Sequence, residues 1–151
     1  MIGLISRFEQ FATSISTIYR YIQKIERDEM EKYGLKGAFA QYLIVMRRYP
    51  EGITAAQLCD VCDKDKAAVS RIIGEMESKG LVVREGNNYR AQLKLTEAGS
   101  KAAQFVHARA KVAVVLAGKG LTDEDRKAYC AALDLIAANL QTISKEGIPE
   151  L

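Results

Sequence analysis

Metal-ligating side chains are scarce in this sequence, which holds one histidine, His107, and three cysteines. An odd cysteine count in a chain that reads as intracellular argues against a disulfide scaffold. Cys59 and Cys62 form a C-x-x-C, but a tetrahedral metal would need two further ligands, and there is no second C-x-x-C to supply them. No apolar run approaches the roughly 18 to 20 residues needed to cross a bilayer. The N-terminus also lacks a basic segment followed by an apolar stretch and a cleavage site. A cytoplasmic protein is therefore expected. Gly-rich phosphate loops, H-E-x-x-H and nucleophile motifs in a supporting context are missing too. With no catalytic constellation, no enzyme activity and no cofactor are expected. Internal repeats, low-complexity tracts and Ser/Pro-rich linkers are likewise missing.

What is present is a folded composition: 151 residues, 48% hydrophobic and 27% charged, enough for one domain or one subunit of a dimer. The net charge of +3 is only mildly basic, so any case for a nucleic-acid partner rests on where the charges lie. The first helix is expected from about Leu4 to Tyr33. Its Phe8, Phe11, Ile15, Ile18, Ile22 and Ile25 alternate three- and four-residue steps and hold one apolar seam in line. A second helix is expected over Leu35–Tyr49, with Phe39, Leu43 and Met46 inward and Pro50 and Gly52 ending it. Lys36, Arg47 and Arg48 read as a solvated edge, the last two also suiting the helix dipole.

The densest local signals lie between residues 53 and 99. Ile53 is expected to add a short strand, and Thr54 with Gln57 forms a capping box for a helix ending at Cys62. After the polar pair Asp63-Lys64, Asp65 is the expected N-cap of a second helix reaching Lys79, with Gly80 as its stop. On that helix Val69, Ile72, Ile73 and Met76 share a buried arc, while Ala67, Ser70, Arg71 and Gly74 collect opposite. Small side chains and one long cation allow close approach to a surface. Two helices joined by so brief a turn make a helix-turn-helix candidate. Leu81–Glu85 then reads as a strand, Gly86-Asn87-Asn88 as a turn and Tyr89–Leu95 as an alternating return strand. Beyond the wing, Thr96 caps a helix to Ala117, Gly118–Gly120 breaks it, and Thr122 with Asp125 caps a last helix. There Tyr129, Leu133, Ile136, Leu140 and Ile143 repeat the three-and-four spacing of the first helix, and the tail from Gly147 is expected to fray.

The run GITAAQLCDVCDKDKAAVSRIIGEMESKGLVVREGNNYRAQLKLTEAG resembles the winged helix-turn-helix of MarR-type bacterial transcriptional regulators. Asp65-Lys66, Val69-Ser70-Arg71, Lys79-Gly80-Leu81-Val82 and Leu95-Thr96 with Gly99 carry the likeness, and the long flanking helices extend it over nearly the whole chain. The resemblance implies a mainly α fold with a small β-wing: a dimerisation helix over residues 1–34, a DNA-binding winged helix-turn-helix over 35–96 and dimerisation helices over 97–151, in one continuous unit. It also implies a homodimer on a pseudo-palindromic DNA duplex, usually a repressor that releases DNA when a small aromatic or anionic effector binds. The wing departs from the family pattern, since Asn88-Tyr89-Arg90 stands where an Asp-Arg pair is usual. Where the family has Ala and Leu, Cys59 and Cys62 read as small core residues.

On this reading Arg71 addresses guanine O6 and N7, Ala67 a thymine methyl, and Ser70 a base edge or phosphate. Lys64 and Lys66 suit phosphates, and Arg84, Asn87, Asn88 and Arg90 follow the backbone or minor groove from the wing. Tyr19, Tyr42 and His107 are candidates for an effector crevice, and no metal site is expected. The alternatives are a winged-helix protein-interaction module without specific DNA binding, or a thiol-based redox-sensing regulator using Cys59 and Cys62.

Overall fold

The computed structural model describes residues 2–86 and 90–150, so the expected contacts of Asn87 and Asn88 lie outside the described residues. The chain divides into two compact units, residues 1–110 and 111–151. Among the described residues are six helices and one antiparallel pair of strands, in the order α1 (Ile2–Lys32), α2 (Phe39–Arg47), α3 (Ala55–Cys62), α4 (Lys66–Ser78), β1 (Val82–Glu85), β2 (Gln92–Leu95), α5 (Glu97–Ala117) and α6 (Asp123–Glu146). No helix among them is long and apolar enough to cross a membrane.

The first unit closes around one core. Met30 of α1, Phe39, Leu43 and Met46 of α2, Leu58 of α3, Val69, Ile73 and Met76 of α4, Leu93 of β2 and Ala102 of α5 all lie within it, buried. The inward arc expected for α4 is the buried one, and α2 is inward at the three expected positions. β1 pairs β2 from Val82↔Leu95 to Glu85↔Gln92, and Ile53 bonds Leu93 in both directions as the short extra strand. Gly99 at the start of α5 has no room for a side chain, because a Cβ there would collide with the Leu81 carbonyl oxygen.

α2 starts four residues later than its apolar pattern suggests. Gly34, at φ +79°, ends α1 in the left-handed conformation; its amide donates to the Glu31 carbonyl, and the Leu35 amide to that of Met30. This closure satisfies α1's last carbonyls and commits Leu35 to packing beside Met30 rather than to a new helix. Gly37 then passes so close to the Arg27 backbone that a Cβ would stand 2.8 Å from its Cα.

In the second unit the break at Gly118–Gly120 and the capping box of Thr122 with Asp125 form as expected. Arg126 bonds Asp123 at 3.0 Å and the Gly118 carbonyl at 3.2 Å, fastening the loop to the first turn of α6. The apolar seam of α6 is uncovered: Tyr129, Leu133, Leu140 and Ile143 are all exposed.

Candidate nucleic-acid interface

The position of α4 is set at both ends by local chemistry. The Asp65 carboxylate accepts the Ala68 amide at 2.7 Å, satisfying an orphan donor and placing negative charge at the helix start. Before it, α3 is held by its complete capping box, with the Thr54 amide donating to Gln57 Oε1 at 2.9 Å and the Gln57 amide to Thr54 Oγ1 at 3.2 Å. Asp63 turns the chain at φ +50°, the one described non-glycine residue in the left-handed region. A single residue thus reverses the backbone from α3 toward α4, as a tight helix-turn-helix needs.

With the arc of Val69, Ile72, Ile73 and Met76 buried, α4 exposes Lys66, Ala67, Ser70, Arg71 and Gly74. Lys64, in the turn, is exposed as well. None of Lys64, Lys66 and Arg71 forms an ion pair among the described residues. The cations behind this surface are held: Lys36 binds Glu75 at 2.6 Å and Lys94 binds Glu85 at 2.9 Å. In the wing, Arg84 binds Glu77 at 2.8 Å, so before it can follow a phosphate it must exchange that carboxylate. Arg90, just before β2, is exposed.

A cavity of about 730 Å³ adjoins the α4 surface. Tyr19, Ile22 and Glu26 of α1, Tyr42 of α2 and Arg48 at its C-cap, Cys62, Lys64 and Arg71 are among the side chains lining it. Two of the three effector candidates therefore come together here, Tyr42 buried and Tyr19 exposed, whereas His107 sits half-buried on α5 away from this lining. Burial pushes the Tyr42 phenol up, the nearby Cys62 and Cys59 add to this, and Arg71 works against it. Burial alone raises the Glu26 carboxyl. Glu26 and Arg48 were not among the sequence candidates. Arg48 reads as a solvated edge from its helix alone, and Glu26 flanks the seam of α1 at Ile25, so only tertiary placement reveals either.

Residues 33–89 match the family model described as MarR family. Over that segment the winged helix is similar to the MarR family. The MarR fold continues well beyond that segment. A MarR-family regulator from Listeria monocytogenes, solved in complex with a 26mer DNA, is 23% identical and superposes with a TM-score of 0.80 over 93% of this chain and 97% of that one. A MarR transcriptional regulator from Methanosarcina mazei is 25% identical, with a TM-score of 0.78 over 89% and 92% of the two chains. The S. aureus MepR–DNA complex is 16% identical, with a TM-score of 0.79 over 86% and 96%. No curated protein sequence matches the chain.

Proposed function

We propose that this chain is a non-enzymatic, homodimeric MarR-type transcription regulator that binds a pseudo-palindromic DNA duplex in the cytoplasm, with α4 as its recognition helix. The observation that carries this reading is the outer arc of α4. It is anchored behind by four buried side chains, capped by Asp65, and presents Ala67, Ser70, Gly74 and an Arg71 that forms no ion pair among the described residues. Small residues let the helix backbone approach a groove, and Arg71 supplies the donors that guanine accepts. Lys64, Lys66 and the amides at the helix start suit phosphates, with Arg84, Asn87, Asn88 and Arg90 reaching from the wing.

The apolar seams left exposed on α1 and on α6 support the dimer, since each needs a cover that a second copy of the chain would provide. The cavity beside α4 supports release by an effector, because about 730 Å³ suits a small organic molecule. Tyr19 and Tyr42 would face an aromatic ring, and Arg48 and Arg71 an anionic group. Binding there lowers DNA affinity only through a higher affinity for the DNA-incompetent dimer. Repression relieved by such a compound is the regulatory outcome we infer.

The decisive experiment is fluorescence anisotropy with a duplex enriched by random-sequence selection and a scrambled duplex of the same composition, over a salt series. A preference of about 10³ or more at physiological salt is expected, with affinity falling steeply as salt rises. A selection that enriches no sequence overturns the reading in favour of the protein-interaction module, which the Arg84–Glu77 pair in the wing already suits.

A further inference from the structure

We propose that Glu77 is an internal competitor for DNA: its carboxylate occupies Arg84 of the wing in the free protein, and Arg84 grips a phosphate only by displacing it. This role rests on the DNA-binding reading above, and it falls to a carboxylate rather than to a cation of the interface.

The pairing is built by the turn between α4 and β1. The amide of Gly80, at φ +72°, donates to the Glu77 carbonyl at 3.0 Å, and the Leu81 amide donates to the Met76 carbonyl at 3.0 Å. These bonds close the end of α4 and fix the direction in which the chain leaves it. Side chains along a strand alternate between its two faces, so Arg84 shares a face with Val82, which is buried in the core. That face turns Arg84 back toward the last turn of α4, where its Nη2 donates to Glu77 Oε1 at 2.8 Å. Both side chains remain open to solvent, Arg84 at 41% and Glu77 at 33%. A phosphate can therefore reach the guanidinium, and an exposed pair of this kind is weak enough to exchange.

The described basic surface is divided by this pairing. Arg84 and Lys94 are the cations of the two strands, and each is neutralised, Lys94 by Glu85 at 2.9 Å. Lys64, Lys66 and Arg71 form no ion pair among the described residues. α4 and the turn before it are free to meet a duplex, whereas the strands of the wing must first exchange a partner.

The exchange has a signature in salt. A free cation that binds a phosphate of duplex DNA releases about 0.9 of a condensed counterion. When Arg84 leaves Glu77 for a phosphate, the bared carboxylate attracts a cation from solution and cancels that release. In the native chain the Arg84 contact is thus weak and nearly insensitive to salt. Once Glu77 loses its charge, it becomes an ordinary phosphate contact.

The test is a double-substitution cycle, read by anisotropy over a salt series on the selected duplex and its scrambled counterpart. It compares the native chain, Glu77→Gln, Arg84→Gln and the double variant, with unchanged circular dichroism showing that each is folded. Glu77→Gln is expected to bind about two- to fivefold more tightly at low salt and to steepen the slope of log affinity against log salt by about 0.9. Arg84→Gln alone changes the slope little, but added to Glu77→Gln it removes both gains. Glu75→Gln removes the same charge from a carboxylate that holds Lys36, and its effect persists when Arg84 is replaced. The role is overturned if Glu77→Gln strengthens binding equally with and without Arg84, since net charge alone then explains the gain. It is equally overturned if Arg84→Gln flattens the slope in the native chain, since Arg84 is then a free phosphate contact. Either result on a duplex that the native chain binds specifically removes the competitor and leaves the regulator standing. If neither the native chain nor any variant binds a duplex, both fall.

Discussion

Arg71 stands where two surfaces meet, at the edge of the exposed arc of α4 and in the lining of the cavity beside it. On the proposed function its donors would serve DNA or a ligand, but not both in one geometry. Arg71→Ala is expected to relax preference at one base position by about 1–3 kcal/mol, and to weaken binding of an anionic ligand. Lys64→Ala should instead weaken binding to all duplexes alike and flatten the salt dependence. Anisotropy on single-base operator variants separates the two, and an unchanged preference in Arg71→Ala would move the reading face elsewhere. A second residue-scale effect is acid sensitivity. Arg109, first, and Lys32 hold the Glu29 carboxyl well below its ordinary 4.5, to about 2, with Arg109 Nε at 2.8 Å. A carboxylate lowered by folding contributes its full stabilisation above about pH 4.5 and loses it as pH falls toward 2. Arg109→Gln should raise the Glu29 midpoint in a carboxyl NMR titration and reduce the acid-dependent part of the melting temperature. Because this pair is exposed to solvent, added salt should shrink the difference.

α3, α4, α5 and α6 begin where their own residues dictate, and there the sequence is most informative. Thr54 with Gln57, Asp65, Thr96 and Thr122 with Asp125 all form the caps that their spacing predicts, because a cap is a contact across three residues. The late start of α2 was hidden because it depends on how α1 closes at Gly34 and on how tightly Gly37 passes Arg27. The cavity was hidden for a similar reason: Tyr19 and Glu26 come from α1, Arg48 from the C-cap of α2 and Arg71 from α4, and no periodicity relates them. The outer arc of α4 was legible because its complement, the buried arc, is periodic. Two substitutions test these element-scale statements. Asp65→Ala should cost about 1 kcal/mol in urea unfolding by orphaning the Ala68 amide, and should weaken DNA binding by fraying the start of α4. Gly99→Ala should cost about 1–3 kcal/mol or more, because its methyl group meets the Leu81 carbonyl and forces α5 away from the strand end.

Among the described residues, apolar side chains remain uncovered on three long helices, with Val112, Val114, Val115 and Leu116 exposed on α5 and an aligned seam on each of α1 and α6. On α1, Phe8, Ile18, Ile22 and Ile25 are exposed, and on α6 Leu133, Leu140 and Ile143. Scattered exposed leucines are ordinary, but seams aligned by three- and four-residue steps are built to meet another helix. Sedimentation should therefore give a particle of twice the 16.7 kDa chain mass. A two-fold dimer presents two copies of α4, and a pseudo-palindromic duplex engages both at once. The second engagement is then intramolecular, so losing the dimer should cost about 10²–10⁴ in apparent affinity without touching any DNA contact. Ile18→Glu and Leu140→Glu place a charge in each seam while leaving the buried core of the winged helix intact. Both should sediment as monomers, keep the circular dichroism of a folded helical protein, and lose operator affinity by that factor while still binding a half-site weakly. If either variant stays dimeric with undiminished affinity, its seam is not part of the interface. If a monomeric variant keeps full affinity, recognition does not require two recognition helices, and the palindrome falls with the dimer.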